Sequence, residues 1–232
     1  MDAPWYTTHE APEISLEHVS LGYDNLKVLS DINAVLPRNK ISVILGGSGG
    51  GKSTLLKTIL GLLPPTQGRI LLGGVDIYDI TTPTLREMRK RMGVLFQDGA
   101  LLGSLPLGEN IALPLREHTN LDEDIIETVV SMKLSLVGLD KFMDFFPSQL
   151  SGGMRKRAGL ARALVMDPKI LLCDEPTSGL DPITAADLDR LILDLKDAFG
   201  MTIVVVSHDL QSLYTIADNV VVLNKGARIF EG

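Results

Sequence analysis

Residues Ile41-Ser42-Val43-Ile44-Leu45 run into Gly46-Gly47-Ser48-Gly49-Gly50-Gly51-Lys52-Ser53-Thr54, and an apolar helical pattern, Leu55, Leu56, Ile59 and Leu60, follows at once. A β-rich run, a loop spaced G-x-x-x-x-G-K-[ST] and a helix therefore stand in the order that a phosphate-binding loop requires. Glycines let successive backbone N–H groups turn inward around phosphate oxygens, where Cβ atoms would crowd, and the helix start adds about half a positive charge. In such a loop Lys52 reaches the β- and γ-phosphates of a nucleotide, and the Ser53 hydroxyl ligates Mg²⁺.

Outward from this loop the chain alternates. β-rich runs stand at 14–19, 32–36, 41–45, 69–72, 93–96, 170–173, 203–206, 220–223 and 227–230. Helical patterns occupy 52–62, 84–92, 122–137, 152–165, 182–199 and 209–217, with Pro182 suited to a first helical turn. Strands alternating with helices predict an α/β fold with a mainly parallel sheet covered on both faces. The runs 170–173 and 203–206 are apolar without alternation, as central strands are. From 98 to about 149 the rhythm breaks: no strand pattern appears, Pro106, Pro114 and Pro147 intervene, and 122–137 is amphipathic. This stretch reads as a helical insert. The expected division is a polar tail over 1–13, a nucleotide-binding core over 14–97 and 156–232, and an inserted helical subdomain over 98–155.

Composition narrows the function classes. The 232 residues carry 22 Lys and Arg against 29 Asp and Glu, a formal net charge of -7, with 45% apolar and 22% charged residues. Those values exclude a disordered, collagen-like or disulfide-built chain, and the acidic balance opposes bulk nucleic-acid binding. Cys173 is the single cysteine, so no internal disulfide exists. No apolar run reaches the roughly 18 residues that suggest a membrane span. Residues 1–13 have neither a basic start nor an apolar block, so they do not read as a signal peptide.

In open α/β sheets ligands sit beyond the carboxyl ends of strands, so polar residues there test the loop assignment. Asp174 and Glu175 follow 170–173, Gln97 follows 93–96, and His208 follows 203–206 and Ser207. Asp174 suits Mg²⁺, directly or through water. Side chains alternate along a strand, so Glu175 is expected to point the other way, as a general base that deprotonates the attacking water. Gln97 offers an amide oxygen for Mg²⁺ or water, and His208 a donor to a γ-phosphate. Leu150-Ser151-Gly152-Gly153-Met154 opens the helix at 152–165, with Ser151 as N-cap, and such a start also holds anions. A second γ-phosphate site makes sense when two chains face each other head to tail.

Taken in order, the phosphate loop, Gln97, Leu150-Ser151-Gly152-Gly153, Ile170-Leu171-Leu172-Cys173-Asp174-Glu175, Ser178-Gly179-Leu180-Asp181 and His208 resemble the ATP-binding subunit of ABC transporters. The resemblance covers nearly the whole chain from about residue 14. It implies a RecA-like P-loop NTPase core, an N-terminal antiparallel β portion and an inserted helical subdomain, with ATP and Mg²⁺ as cofactors. It further implies that Tyr23 stacks on adenine, that Ser151, Gly152 and Gly153 grip the partner's γ-phosphate, and that Asp181 communicates across a dimer of two copies.

Within the insert, Leu95-Phe96-Gln97-Asp98-Gly99-Ala100-Leu101, Pro114-Leu115-Arg116-Glu117-His118-Thr119 and Met132-Lys133-Leu134 look like the ATPases of Mla-type, Mce-associated phospholipid transporters. Met154, where many ABC subunits have Gln, is similar to the same group. That resemblance implies a membrane permease docked on the insert, a periplasmic lipid-binding protein and a small regulatory subunit as partners, at the cytoplasmic face of the inner membrane. Leu101, Leu102, Leu105 and Leu107 read either as permease contacts or as ordinary core. Two departures stand out: Gly47 where the Mla pattern has Pro, and a last residue, Gly232, where that pattern continues into a tail. The basic clusters Arg86 to Arg91 and Arg155-Lys156-Arg157 read either as lipid or phosphate contacts or as solvated helix faces; Glu87 interrupts one and both lie on helices, which favours the second. Rival readings are an ATPase for import of a polar solute and a soluble ABC protein acting on nucleic acid or ribosomes. The charge of -7 and the absence of a paired cassette or coiled-coil insertion weigh against the latter.

Overall fold

The computed structural model describes Tyr6, residues 12–23 and residues 26–232. Most of the expected tail, 1–5 and 7–11, lies outside the described residues. Its end is not frayed: the Pro12 carbonyl accepts from Thr202 Oγ1 at 2.8 Å and the Glu13 carbonyl from the Gly73 N–H at 2.8 Å.

Two sheets form. β1 (Ile14–Tyr23), β2 (Leu26–Leu36), β4 (Gln67–Leu72) and β5 (Val75–Asp76) make an antiparallel sheet in the order β2-β1-β4-β5. β3 (Ile41–Gly46), β6 (Met92–Leu95), β7 (Ile170–Asp174), β8 (Thr202–Ser207), β9 (Asn219–Asn224) and β10 (Ala227–Glu231) make the second, ordered β10-β9-β3-β8-β7-β6. All its pairings are parallel except β10 with β9. This is the P-loop NTPase arrangement that the sequence predicts.

The two-residue period of a strand explains the unbroken apolar runs of its centre. Val43, Leu45, Leu171, Cys173, Ile203 and Val205 face one core, and Ile44, Ile170, Leu172, Val204 and Val206 face the other. The second core packs against β1, β2 and β4 and against α1 (Lys52–Ile59) and α2 (Thr82–Lys90). The first packs against α3 (Leu107–His118), α4 (Glu123–Leu136), α5 (Gly152–Leu164) and α6 (Pro182–Phe199); α7 (Leu210–Ile216) follows β8. Among the described residues no helix is long and apolar enough to cross a membrane.

Three differences from expectation have physical causes. α1 stops at Ile59 rather than 62 because Gly61 takes a φ of 71° and closes the helix end, Gly61 N donating to Thr58 O at 2.9 Å and Leu62 N to Lys57 O at 2.9 Å, while Arg89 donates to the Leu60 and Gly61 carbonyls just beyond it at 2.9 and 2.6 Å. α3 has no counterpart in the periodicity because Pro114 stands inside it. It forms because its first N–H groups find partners, Leu107 N to Phe145 O at 2.9 Å and Gly108 N to Met143 O at 2.8 Å, while buried Asn110 ties the preceding loop to it. Leu107 belongs to the core, not to an exposed contact set; Leu102 is the exposed member of that group. Finally, α5 runs unbroken through the boundary expected between 155 and 156.

Candidate nucleotide site

The parallel registers bring the carboxyl ends of β3, β8 and β7 side by side, with Leu45 opposite Ser207 and Asp174 opposite Val206. The loop after β3 turns at Gly51, whose φ of 85° suits glycine. A Cβ there would come within 2.7 Å of Val28 Cγ1 and 2.9 Å of Leu29 Cγ, so the loop is fitted against β2 as well as curled on itself. By contrast a Cβ on Gly47 meets nothing within 4 Å, so glycine is not demanded by packing at that position.

Five predicted residues converge here. Lys52, 6% exposed, donates to Gly46 O at 2.7 Å and Gly47 O at 3.2 Å and lies 3.4 Å from Glu175 Oε1. Ser53 Oγ donates to Asp174 Oδ1 at 3.0 Å. His208 Nδ1 stands 2.7 Å from Glu175 Oε2. Burial holds the Asp174 carboxyl above its ordinary range; the Ser53 hydrogen bond opposes that, the Glu175 charge adds to it, and Lys52 opposes it.

Glu175 does not simply point away from Asp174 as strand alternation predicts. β7 ends at Asp174, and Glu175 takes a φ of 49°, an uncommon conformation for a residue with a side chain. The turn is held from several directions: Glu175 N donates to Val206 O at 2.9 Å, and Glu175 O accepts from Ser178 Oγ at 2.9 Å and Lys156 Nζ at 3.1 Å. Both carboxylates thereby reach the start of α1, one at Ser53 and the other at Lys52.

Lys156 corrects the reading of its cluster as a solvated face. It is 5% exposed and also binds Ser178 O at 2.7 Å and Ser178 Oγ at 3.1 Å, while burial lowers its pKa. Its neighbours Arg155 and Arg157 donate to Leu150 O and Val137 O. The signal was present: Gly153, Lys156, Leu160 and Leu164 are spaced at three and four residues along the buried face of α5. Lys156→Ala is expected to destabilise the chain by about 2 kcal/mol, because Ser178 O loses the Lys156 ammonium while Glu175 O keeps only its bonds from Ser178. Urea unfolding with an unchanged midpoint would contradict this.

The remaining predicted residues lie apart from that cluster. Ser151 caps α5, accepting from Met154 N at 3.2 Å, and Asp181 caps α6, accepting from Ile183 N at 3.2 Å and Thr184 N at 3.1 Å. Thr184 Oγ1 also donates to Asp181 at 2.6 Å, and that bond holds the Asp181 carboxyl below the ordinary range. A Cβ on Gly153 would come 2.5 Å from Thr184 Cγ2, so the starts of α5 and α6 are pressed together and glycine is required between them. Gln97 is exposed just past β6, and among the described residues no hydrogen bond joins it to Ser53 or Asp174. The Tyr23 side chain, assigned to adenine, lies outside the described residues.

Ser53 and Asp174 supply hard oxygen donors at one place, which fits Mg²⁺. Among the described residues no group of three or more His, Cys, Asp and Glu side chains is set to hold a metal alone. This is how Mg²⁺ sites that share their ion with substrate phosphates and water are built.

Fold and site thus define a P-loop NTPase with acids at the ends of neighbouring strands. The family profile described as ABC transporter matches residues 29–178, and the chain belongs to that family. It is 47% identical over 206 residues to the probable ribonucleotide transport ATP-binding protein mkl of Mycobacterium tuberculosis, covering 89% of this chain and 57% of that protein. It is 46% identical over 210 residues to the intermembrane phospholipid transport system ATP-binding protein MlaF of Haemophilus influenzae, covering 90% of this chain and 77% of that one. The dimeric post-hydrolysis structure of the ATP-binding cassette MJ0796 bound to ADP and Pi superposes with a TM-score of 0.85 at 30% identity, covering 94% of this chain and 97% of that chain. The chain spans little more than half the length of mkl.

Proposed function

We propose that the chain is the ATP-hydrolysing subunit of an ABC transporter that moves phospholipid across a bacterial envelope. The observation that carries the hydrolytic part is Glu175: its carboxylate stands between His208 at 2.7 Å and Lys52 at 3.4 Å, directly beyond the phosphate loop. A carboxylate in that position accepts a proton from water attacking the γ-phosphate. The loop N–H groups and Lys52 bind and orient the phosphates, and His208 fixes the Glu175 carboxylate. Ser53 and Asp174, with Gln97, are the residues to hold Mg²⁺, which neutralises phosphate charge when bound.

Two copies pair head to tail, each placing Ser151, Gly152 and Gly153 on the nucleotide of the other. Support comes from the capped N-terminus of α5, which presents backbone N–H groups and a positive helix end, and from the likeness to a dimeric cassette. Asp181, at the next helix start, couples the two sites. An integral permease docks at the insert and holds the chain at the cytoplasmic face of the membrane. A groove of about 530 Å³ lined by Arg86, Lys90, Phe96, Pro114, His118 and Met166 supports that docking, with Phe96 41% exposed. A small regulatory subunit and a periplasmic lipid-binding protein complete the assembly in this reading.

The phospholipid cargo rests on the likeness to MlaF and on the insert segments quoted above. A second reading, transport of a polar solute, is favoured by the name of mkl. Purifying the native complex and identifying what travels with it decides between them. Phospholipid in stoichiometric amount supports the first, whereas a lipid-free permease carrying a nucleotide or other polar solute overturns it.

A further inference from the structure

We infer that the cavity between α6 and α7 binds an alkali cation, K⁺ or Na⁺, through the oxygens of Asp189, Ser212 and Thr177. The cavity encloses about 130 Å³ and opens between the N-terminal half of α6, the segment after Glu175 and the start of α7. Thr177, Asp189, Asp209, Ser212 and Thr215 are its polar lining, and no Lys, Arg or His lines it. Asp189 is 3% exposed, and its Oδ1 has no hydrogen-bond partner among the described residues. That is a carboxylate oxygen sealed from solvent, on the wall of a cavity, with no donor addressed to it.

Counting protons shows why the lining does not satisfy it. Ser212 is 3% exposed and has one hydroxyl proton, yet it stands 3.2 Å from Thr177 Oγ1, 3.5 Å from Asp209 Oδ2 and within hydrogen-bonding reach of Asp189. Thr177, 6% exposed, likewise brings one proton and two lone pairs. With Thr215 the lining brings three hydroxyl protons against two carboxylates and three hydroxyl oxygens, so it holds more acceptor positions than donors. An unpaired buried carboxylate is costly, and a cation that accepts several oxygens at once removes the cost for both the carboxylate and the hydroxyls.

The ligand set selects the class of ion. All the donors are oxygen, with no imidazole or thiolate, which disfavours zinc, copper and iron. Asp209 is only partly buried, so the single fully buried negative charge is that of Asp189, and a monovalent ion balances it. The volume leaves room for an ion with one or two waters beside the protein oxygens. Burial raises the Asp189 pKa, the Ser212 hydrogen bond opposes that, and the Asp209 charge adds to it. The site would tie the segment carrying Glu175 and Asp181 to the segment carrying His208.

The test is thermal unfolding of the full chain in nucleotide-free buffer with EDTA, titrating KCl or NaCl against N-methylglucamine chloride at constant ionic strength. The unfolding midpoint is expected to rise with K⁺ or Na⁺ and to saturate. Asp189→Asn keeps the shape and should raise the half-saturating concentration at least about tenfold, because a charged ligand becomes neutral. Ser212→Ala should shift it in the same direction, and crystals soaked with Tl⁺ should show anomalous density beside Asp189. A midpoint that is the same in all three salts, or a rise equally large in Asp189→Asn, would overturn the assignment, including in favour of a bound water. Because no nucleotide is present, the result is independent of whether the chain hydrolyses ATP.

Discussion

Replacing Glu175 with glutamine is expected to lower ATP turnover at least about 10²-fold while nucleotide still binds, because a general base contributes about 10²–10⁴-fold. Glutamine has the volume and planarity of glutamate, so the backbone turn at 175, held by Val206 O, Ser178 Oγ and Lys156 Nζ, has no reason to change. The amide oxygen still accepts from His208 or Lys52, but it does not take a proton from water. Lys52 keeps its bonds to Gly46 O and Gly47 O, and the glycine loop is untouched. If ATP closes the pair of subunits and hydrolysis reopens it, the variant accumulates as ATP-bound dimers. Single-turnover hydrolysis with size-exclusion chromatography in MgATP reads both effects; normal turnover in Glu175→Gln would remove Glu175 from the catalytic role.

The glycine loop between β3 and α1 was legible because its signal is local: glycine spacing, a lysine and a serine hydroxyl stand in consecutive positions between a strand and a helix. The central strands were legible for a related reason, since a sheet buried on both faces leaves no room for polar alternation at 170–173 or 203–206. α6 was read at its observed bounds because Asp181 and Pro182 mark its start by their own geometry. What escaped depends on residues far apart in sequence. α3 requires carbonyls from Met143 and Phe145 to overcome the effect of Pro114. β5, only Val75 and Asp76, exists through pairing with β4. The inward reach of Glu175 follows from a left-handed backbone that Val206 and Lys156 stabilise from other elements, which no period along the strand reveals. Lys156 itself was hidden by its charge, although its place on the buried face of α5 was open to reading.

Lys52→Ala is expected to fail at an earlier step than Glu175→Gln, losing nucleotide affinity by about 10²-fold before any chemistry or pairing. Charge-assisted contacts to phosphate are worth about 1.5–3 kcal/mol, or roughly 10- to 150-fold in binding. Field effects act in the same direction. Lys52 is the cation 3.4 Å from Glu175 and, with Lys57, it draws down the Asp174 carboxyl against burial. Without it the two acids at the end of β7 face an incoming triphosphate with less positive charge between them, and repulsion adds to the lost contact. The carbonyls of Gly46 and Gly47 also lose their common donor, so the loop itself becomes less well ordered for phosphate. Isothermal titration with ATP and Mg²⁺ should therefore show weak or undetectable binding in Lys52→Ala and near-normal binding in Glu175→Gln, although both hydrolyse poorly. The two variants thus divide one site into a part that captures the nucleotide and a part that consumes it. A Lys52→Ala chain that binds and hydrolyses ATP like the wild type would show that the glycine loop is not the phosphate cradle.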